Sequence, residues 1–299
     1  MATNGTSVSP NKVAIVTGAS SGMGTALSKH FIGKGWNVAL LDVNDKVGKD
    51  LASSLGPNAA YFHANVASYA SQAAAFTAVW ERWGRLDALL ANAGIVDQSS
   101  LYILRHRGAS VADVPPEPNL LCTDVDYKGV LYGTQLAVHF MRHNPPGSGG
   151  PGGKIVCTAS NAGVHPHRSY PEYNGAKAGV VQFVRTVADV LAAKERVYVN
   201  CVCPGIVATA IVPPEMVAAV SPECMTPVGT IVRAYDGFLA GGDARFGVVA
   251  ECSGELVSEL DYSQLKFKNG RPSERSVTVW DPLFRDMHGE DSGLAEALP

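Results

Sequence analysis

Up to Cys252 the chain alternates short, nearly unbroken apolar runs with longer stretches of helical periodicity, a rhythm few folds can absorb. The runs are Lys12–Thr17, Asn37–Asp42, Ala60–His63, Ala88–Ala91, Lys154–Thr158, Tyr198–Val202 and Gly247–Cys252. Between them, stretches such as Ser68–Trp83 and Asp126–His143 repeat apolar residues at helical spacing. A strand with one wet face alternates apolar and polar residues, whereas a strand apolar throughout is covered on both faces. Helices must supply that cover. Right-handed crossovers then give a doubly wound (Rossmann) α/β fold, with seven parallel strands in a single domain. With 46% hydrophobic and 17% charged residues, the chain has ample material for the core.

The remainder is punctuation. Met1–Asn11, rich in Thr, Ser and Asn, reads as a short disordered tail and not as a signal peptide. The folded domain is expected over 12–254, followed by a weakly periodic extension over 255–299 that suits a lid, a subunit arm or partial disorder. Ser99–Asn119, with Pro115, Pro116 and Pro118, is a long connection, and Pro145–Gly153 reads as a mobile surface loop. No stretch approaches the roughly 20 apolar residues of a membrane span, so a soluble, cytoplasmic protein is expected. A net charge of −3 offers no basic field to nucleic acid, which leaves small molecules and other protein chains as partners. None of the six cysteines forms a C-x-x-C pair; they read as reduced, buried thiols. His165 and His167 lack an acidic or cysteine neighbour in the sequence, and no metal is expected.

The first apolar run leads directly into Thr17-Gly18-Ala19-Ser20-Ser21-Gly22-Met23-Gly24 and then into an amphipathic segment. Such a strand–turn–helix places unpaired N–H groups at the positive end of a helix dipole, where a pyrophosphate can bind. The glycines let the backbone turn tightly and approach the phosphates. The second run ends at Asp42, 18 residues past Gly24. A carboxylate there can accept hydrogen bonds from a ribose diol and repels a 2′-phosphate. Ser20 and Ser21 add no positive charge, so NAD is favoured over NADP; alternatively, Asp42 only caps the next helix.

Tyr173 and Lys177 stand at i and i+4 in a helical segment, so their side chains share one face. A phenol titrates near 10 in water, and an adjacent ammonium favours its phenolate. Ser160 lies 13 residues before Tyr173, just past an apolar run and so at the carboxyl end of a strand, where open α/β sheets bind ligands.

On these residues, together with Asn65-Val66, Asn92-Ala93-Gly94 and Pro204-Gly205-Ile206-Val207-Ala208-Thr209, the chain resembles the short-chain dehydrogenase/reductase family from about Lys12 to Cys252. Val199–Ile211 and the Asp42 ending look like the NAD-dependent hydroxyprostaglandin dehydrogenase-like alcohol dehydrogenases. The resemblance implies a nicotinamide cofactor and hydride transfer to or from a secondary alcohol or ketone. It implies that Gly18, Ser21, Gly22, Met23 and Gly24, with Ser20 beside them, hold the pyrophosphate and Asp42 the ribose. Asn65 and Val66 would border the adenine, and Asn92, Ala93 and Gly94 the middle of the cofactor. Pro204, Gly205, Val207 and Thr209 would border the nicotinamide end. Ser160 would bind the substrate oxygen, Tyr173 would exchange its proton, and Lys177 would hold the ribose and tune Tyr173. Tyr170 belongs to the substrate pocket or the surface. The family's long helices, here Asp126–His143 and Tyr173–Ala193, commonly pair into dimers or tetramers. A second reading keeps the cofactor as a scaffold for a non-redox cyclisation or dehydration.

One departure stands out. Where the family often has Asn, the chain has Asp126. A carboxylate near Lys177 would stabilise the ammonium and partly cancel its field at Tyr173, moving the pH optimum upward. The alternative is a helix cap or surface residue. The apolar stretch Ile211, Val212, Pro213, Pro214, Met216 and Val217, with Val164, His165, Tyr170 and Leu101–Leu104, suggests a bulky apolar substrate: a lipid alcohol, a steroid or a secondary-metabolite intermediate.

Overall fold

The computed structural model describes residues 8–212, 214–239, 244–262 and 267–299, the side chain of Met216 excepted. The first seven residues of the expected N-terminal tail and Pro213 therefore lie outside the described residues. In chain order the elements are β1 (Val13–Thr17), α1 (Gly22–Gly33), β2 (Asn37–Asp42), α2 (Asp45–Leu55), β3 (Ala59–His63), α3 (Tyr69–Trp83) and β4 (Ala88–Ala91). There follow α4 (Leu121–Thr123), a π-helical turn at Asp124–Lys128, α5 (Gly129–Met141), β5 (Gly153–Thr158), α6 (Pro171–Glu195) and β6 (Val197–Pro204). The last are α7 (Pro214–Ala219), α8 (Val228–Leu239), β7 (Val249–Ser253), β8 (Leu256–Glu259), α9 (Arg271–Arg275) and α10 (Asp281–His288).

The sheet runs β3-β2-β1-β4-β5-β6-β7-β8, parallel throughout except for the β7–β8 pair. The seven expected parallel strands are present, and β8 is an eighth that the sequence reading lacks. It folds back through the two-residue turn Gly254-Glu255, with Gly254 at φ 56°, the left-handed conformation such hairpins favour. All four β8 residues are exposed, so no apolar run marks it.

Strand residues divide between two cores by the period of two. Val13 and Ile15 join Leu89, Ile155 and Val199 under α3, α5 and α6, against Phe76, Met141 and Val184. Ala14 and Val16 face the other way with Leu40, Val156 and Val202, under α1 and α8, against Phe31, Ile231 and Tyr235. Both faces are dry, which is why the strands read as continuous apolar runs. Each fully buried large aliphatic contributes about 1.5–3 kcal/mol.

The expected helix Asp126–His143 begins earlier and is interrupted. The chain turns helical at Leu121, widens into the π turn at Asp124–Lys128, and resumes as α5 to Met141. The glycine-rich stretch before β5 is pinned: Arg85 Nη2 donates to Ser148 O at 3.1 Å, and the Gly152 N–H to Met141 O at 3.0 Å. Near the C-terminus, Phe284 and His288 of α10 border a cavity shared with Val187 and Leu191 of α6, and Glu290 forms a 3.3 Å ion pair with Lys194. Among the described residues, no helix is long and apolar enough to cross a membrane.

Chain order reverses between β1 and β4, which lie side by side although two strands separate them in sequence. Crossovers leave that point in opposite directions, so their loops part and a crevice opens beyond the carboxyl ends of β1 and β4.

Candidate active site

The turn after β1 lies at this crevice. Gly18 and Gly22 adopt φ of 64° and 46°, and a Cβ on Gly18 would stand 2.9 Å from Ala93 Cα. Only glycine fits a left-handed turn pressed against a neighbouring loop. Gly24 lets α1 meet the turn: a Cβ there would be 2.1 Å from Gly18 O. Thr17 Oγ1 accepts the N–H groups of Asn92 (2.9 Å) and Ala93 (3.0 Å), and Asn92 Nδ2 donates to Thr17 O at 3.0 Å. The two loops are thereby locked together.

Between them is a cleft of about 100 Å³ lined by Gly18, Ser21, Gly22, Met23, Asn92, Ala93, Gly94, Thr158, Lys177 and Thr209–Ile211. Its chemistry suits a dinucleotide. Ser21, the N-cap of α1, makes no side-chain bond to the helix, and the first turn carries no acidic residue, so α1 presents its N–H groups to the cleft. Nearby, the buried Ser20 Oγ and Asn92 Oδ1 have no hydrogen-bond partner among the described residues.

Asp42 ends β2 beside this turn, its Oδ2 accepting the Ser20 N–H at 3.0 Å and Oδ1 the Asn44 N–H at 2.9 Å. Its neighbour Asp45 bonds to His63, Tyr61 and Lys49, which together hold its carboxyl down to about 2. Two carboxylates thus flank this end of the crevice. Asn65 is in an exposed turn, its Oδ1 accepting the Ala67 N–H, and Val66 is buried where a Cβ on Gly129 would touch it. Val207 packs its side chain into the α1/α8 core, whereas Thr209 stands over Gly22, 2.9 Å from where a Cβ would be.

Ser160, Tyr173 and Lys177 converge. Lys177 is buried, with Nζ donating to Thr158 O at 2.9 Å and lying 5.5 Å from the Tyr173 ring centre. Ser160 Oγ accepts the Ala162 N–H at 3.1 Å, and its hydroxyl draws the Tyr173 phenol down. The start of α6 is fixed from outside: Asp97 Oδ1 and Oδ2 accept the N–H groups of Tyr173 (2.8 Å) and Glu172 (3.0 Å). Glu172 Oε1 in turn accepts the Thr123 N–H at 2.7 Å. Asp97, Cys122 and Glu172 place ligand-type atoms within 4.8 Å of one another. Three of the four carboxylate oxygens there already bind backbone N–H groups, and the α6 dipole opposes a cation.

Ser160 and Tyr173 open onto a second cavity of about 290 Å³, shared with Tyr170, Pro204 and Gly205. Val96, Ala162, Ile206, Ile211 and Val212 give it apolar walls; Asn161, His167, Thr226 and Ser253 add polar groups. Ile211 borders both cavities, so Lys177 faces the first while Tyr173 and Ser160 face the second. Sequence reasoning missed Asn161, Thr226 and Ser253, along with the anchors Thr17, Asp97 and Glu172. Their partners lie far away in the chain, and no local pattern announces them.

Asp126 is completely buried in the π turn. Its Oδ2 is 3.0 Å from Lys177 Nζ, and its Oδ1 accepts the Ile95 N–H at 2.8 Å. The surface or cap alternative for this residue is therefore ruled out. Burial works against the Lys177 charge, yet Asp126 and Tyr173 outweigh it and hold the ammonium above its ordinary range. Burial raises the Tyr173 phenol; Lys177 and Ser160 pull it down, and Asp126 and Cys122 push it up.

A family model for short chain dehydrogenases matches residues 12–217, and the chain belongs to that family, an NAD(P)-dependent oxidoreductase class. It is 49% identical over 297 residues to the short-chain dehydrogenase/reductase prx6 of Penicillium rubens, covering 96% of this chain and 98% of that protein. It is 32% identical over 208 residues to human 15-hydroxyprostaglandin dehydrogenase, whose name specifies NAD(+), covering 67% of this chain and 70% of that one. The fold matches a 3-ketoacyl-(acyl-carrier-protein) reductase from Brucella melitensis complexed with NADH, at TM-score 0.69 and 24% identity, over 84% of this chain and all of that one.

Proposed function

We propose that the protein interconverts a bulky, largely apolar secondary alcohol and its ketone, using NAD in preference to NADP. The observation that carries this reading is the junction at Ile211. There the lysine that borders the dinucleotide cleft stands beside the tyrosine and serine that border an apolar-walled pocket. The bound nicotinamide supplies the hydride chemistry, and the protein supplies placement and electrostatics.

Gly18, Ser21, Gly22 and the α1 N–H groups would hold the pyrophosphate, with Asn92, Ala93 and Gly94 against its middle. Lys177 would hold a ribose hydroxyl and keep positive charge near Tyr173. Ser160 would donate a hydrogen bond to the substrate oxygen, and Tyr173 would exchange a proton with that same oxygen. Asp42 supports NAD, because a second negative group beside two carboxylates is repelled. The NAD(+) in the name of the human relative agrees. Pairing of α5 and α6 between subunits is part of the proposal: an apolar groove of about 860 Å³, including Tyr132, Leu136, Phe140 and Phe183, lies on that face.

The test is a panel of apolar ketones and secondary alcohols followed by NADH absorbance, with Tyr173→Phe as control. The variant is expected to lose at least about 100-fold in kcat while keeping its NADH affinity. Near-normal turnover in Tyr173→Phe would overturn the assignment. Cyclisation or dehydration without NADH consumption would favour the scaffold reading.

A further inference from the structure

Family membership leaves open which direction of the reaction the free enzyme is prepared for. The buried charges around Tyr173 bear on this question. Tyr173 and Lys177 lie one turn apart on α6. Facing them are Asp126 from the π turn, Cys122 from α4, Ser160 after β5, and Glu172 from α6 itself, with the Tyr170 ring edge-on to Tyr173 at 6.5 Å and His167 across the shared cavity. Asp97 caps the start of the helix. The Cys122 thiol is pushed far up by burial and nearby carboxylates, so it stays neutral. Burial raises the Asp126 carboxyl, while Lys177 and the Ile95 N–H draw it back down; held against the ammonium, it is the acidic group closest to Lys177, 3.0 Å from Nζ and sealed from water.

The local backbone is built to hold that contact. The π turn places Asp126 inward, the Ile95 N–H holds its second oxygen, and Gly94 leaves the space open. A Cβ on Gly94 would stand 2.9 Å from Asp126 Oδ2 and 3.2 Å from Lys177 Nζ. Lone buried charges are costly, and this pair forms a nearly neutral unit. From outside, its field at Tyr173 is that of a dipole and not of a free ammonium.

We infer that Asp126 is a positioning residue that keeps Tyr173 protonated through neutral pH, so that the free enzyme is set for carbonyl reduction. This rests on the function proposed above. In that direction a bound reduced nicotinamide would supply the hydride to the carbonyl carbon, and Tyr173 would give its proton to the carbonyl oxygen. Solvent then returns a proton to the Tyr173 oxygen. Oxidation needs the phenolate instead, and sets in only at alkaline pH. Burial of the phenol is the larger upward influence, and Asp126 adds to it by offsetting Lys177.

The test needs no substrate. Phenolate ultraviolet absorbance is titrated in the cofactor-free protein, and the Tyr173→Phe curve is subtracted to isolate one of the ten tyrosines. Tyr173 is expected to stay protonated past pH 8. In Asp126→Asn, against its own Tyr173→Phe double variant, ionisation should begin on the order of one pH unit lower. The pH limbs of reduction and oxidation should shift by the same amount. Ionisation of Tyr173 at or below pH 7 in the unaltered protein would overturn the inference, whether or not Asp126→Asn folds. An Asp126→Asn titration superimposable on the parent curve would do so as well. A protein that behaves as expected in this titration but shows no NADH turnover would count against the proposed function, not against Asp126.

Discussion

A single methyl group at Gly24 tests whether the phosphate-binding turn is as tightly built as its geometry implies. In Gly24→Ala the new Cβ would stand 2.1 Å from Gly18 O, 2.8 Å from Gly18 C and 2.9 Å from Ala19 Cα. Carbon and oxygen in close contact are about 3.3 Å apart, so roughly 1 Å of movement is required. All three atoms are backbone, and no side chain can swing aside to accept the methyl. Overpacking of this kind costs about 1–3 kcal/mol. The atoms that must retreat are those that set the Gly18–Gly22 amides, so the cost should fall on cofactor binding. At 1.4 kcal/mol per tenfold, NADH affinity should drop about 10- to 100-fold. Fluorescence titration with NADH measures this directly. Gly33→Ala in the same helix is the control. Among the described residues, nothing beyond its own turn of helix lies within 4 Å of its Cβ, so it should leave NADH affinity unchanged and raise stability by about 0.5 kcal/mol. If Gly24→Ala binds NADH within about threefold of the parent, the turn is more yielding than its contacts imply, and the reasoning fails.

Asp42→Ser should narrow the NAD-over-NADP preference by about 1–2 kcal/mol, roughly tenfold in relative kcat/KM; an unchanged ratio would remove Asp42 from cofactor choice. Asp87→Ala should cost about 3 kcal/mol in denaturant unfolding, because Arg85, 5% exposed, loses its 2.6 Å ion-pair partner and the Val13 N–H its 2.7 Å acceptor. A loss below about 1 kcal/mol would mean that Ser9 O and Ser148 O suffice to satisfy Arg85.

How much of this was legible in the sequence depended on the range of the interactions involved. Strands buried on both faces leave an unbroken apolar run, so all seven parallel strands stood out, and Asn37–Asp42 and Ala88–Ala91 agree to the residue. The shared face of Tyr173 and Lys177 follows from helical geometry alone. By contrast, β8 is held by backbone pairing and leaves no side-chain signature. The π turn was hidden for a different reason. Apolar spacing over Asp126–His143 fixes that a helix is present, but not that its first turn carries an extra residue. Whether Asp126 faces Lys177 depended on that turn. Thr17, Asp97 and Glu172 act on partners 49 to 76 residues away in sequence, beyond what local pattern can reach.

The reversal of direction at β8 also decides what the sheet offers to a passing chain. Left as a border, β7 would present a row of unused N–H and C=O groups to any extended segment. The border is instead a four-residue strand, with Glu255 and Glu259 held by Arg233 and Arg245. That rim is too short and too charged to template a growing stack of strands. The apolar Leu256 and Val257 can therefore stand exposed there without inviting fibril growth.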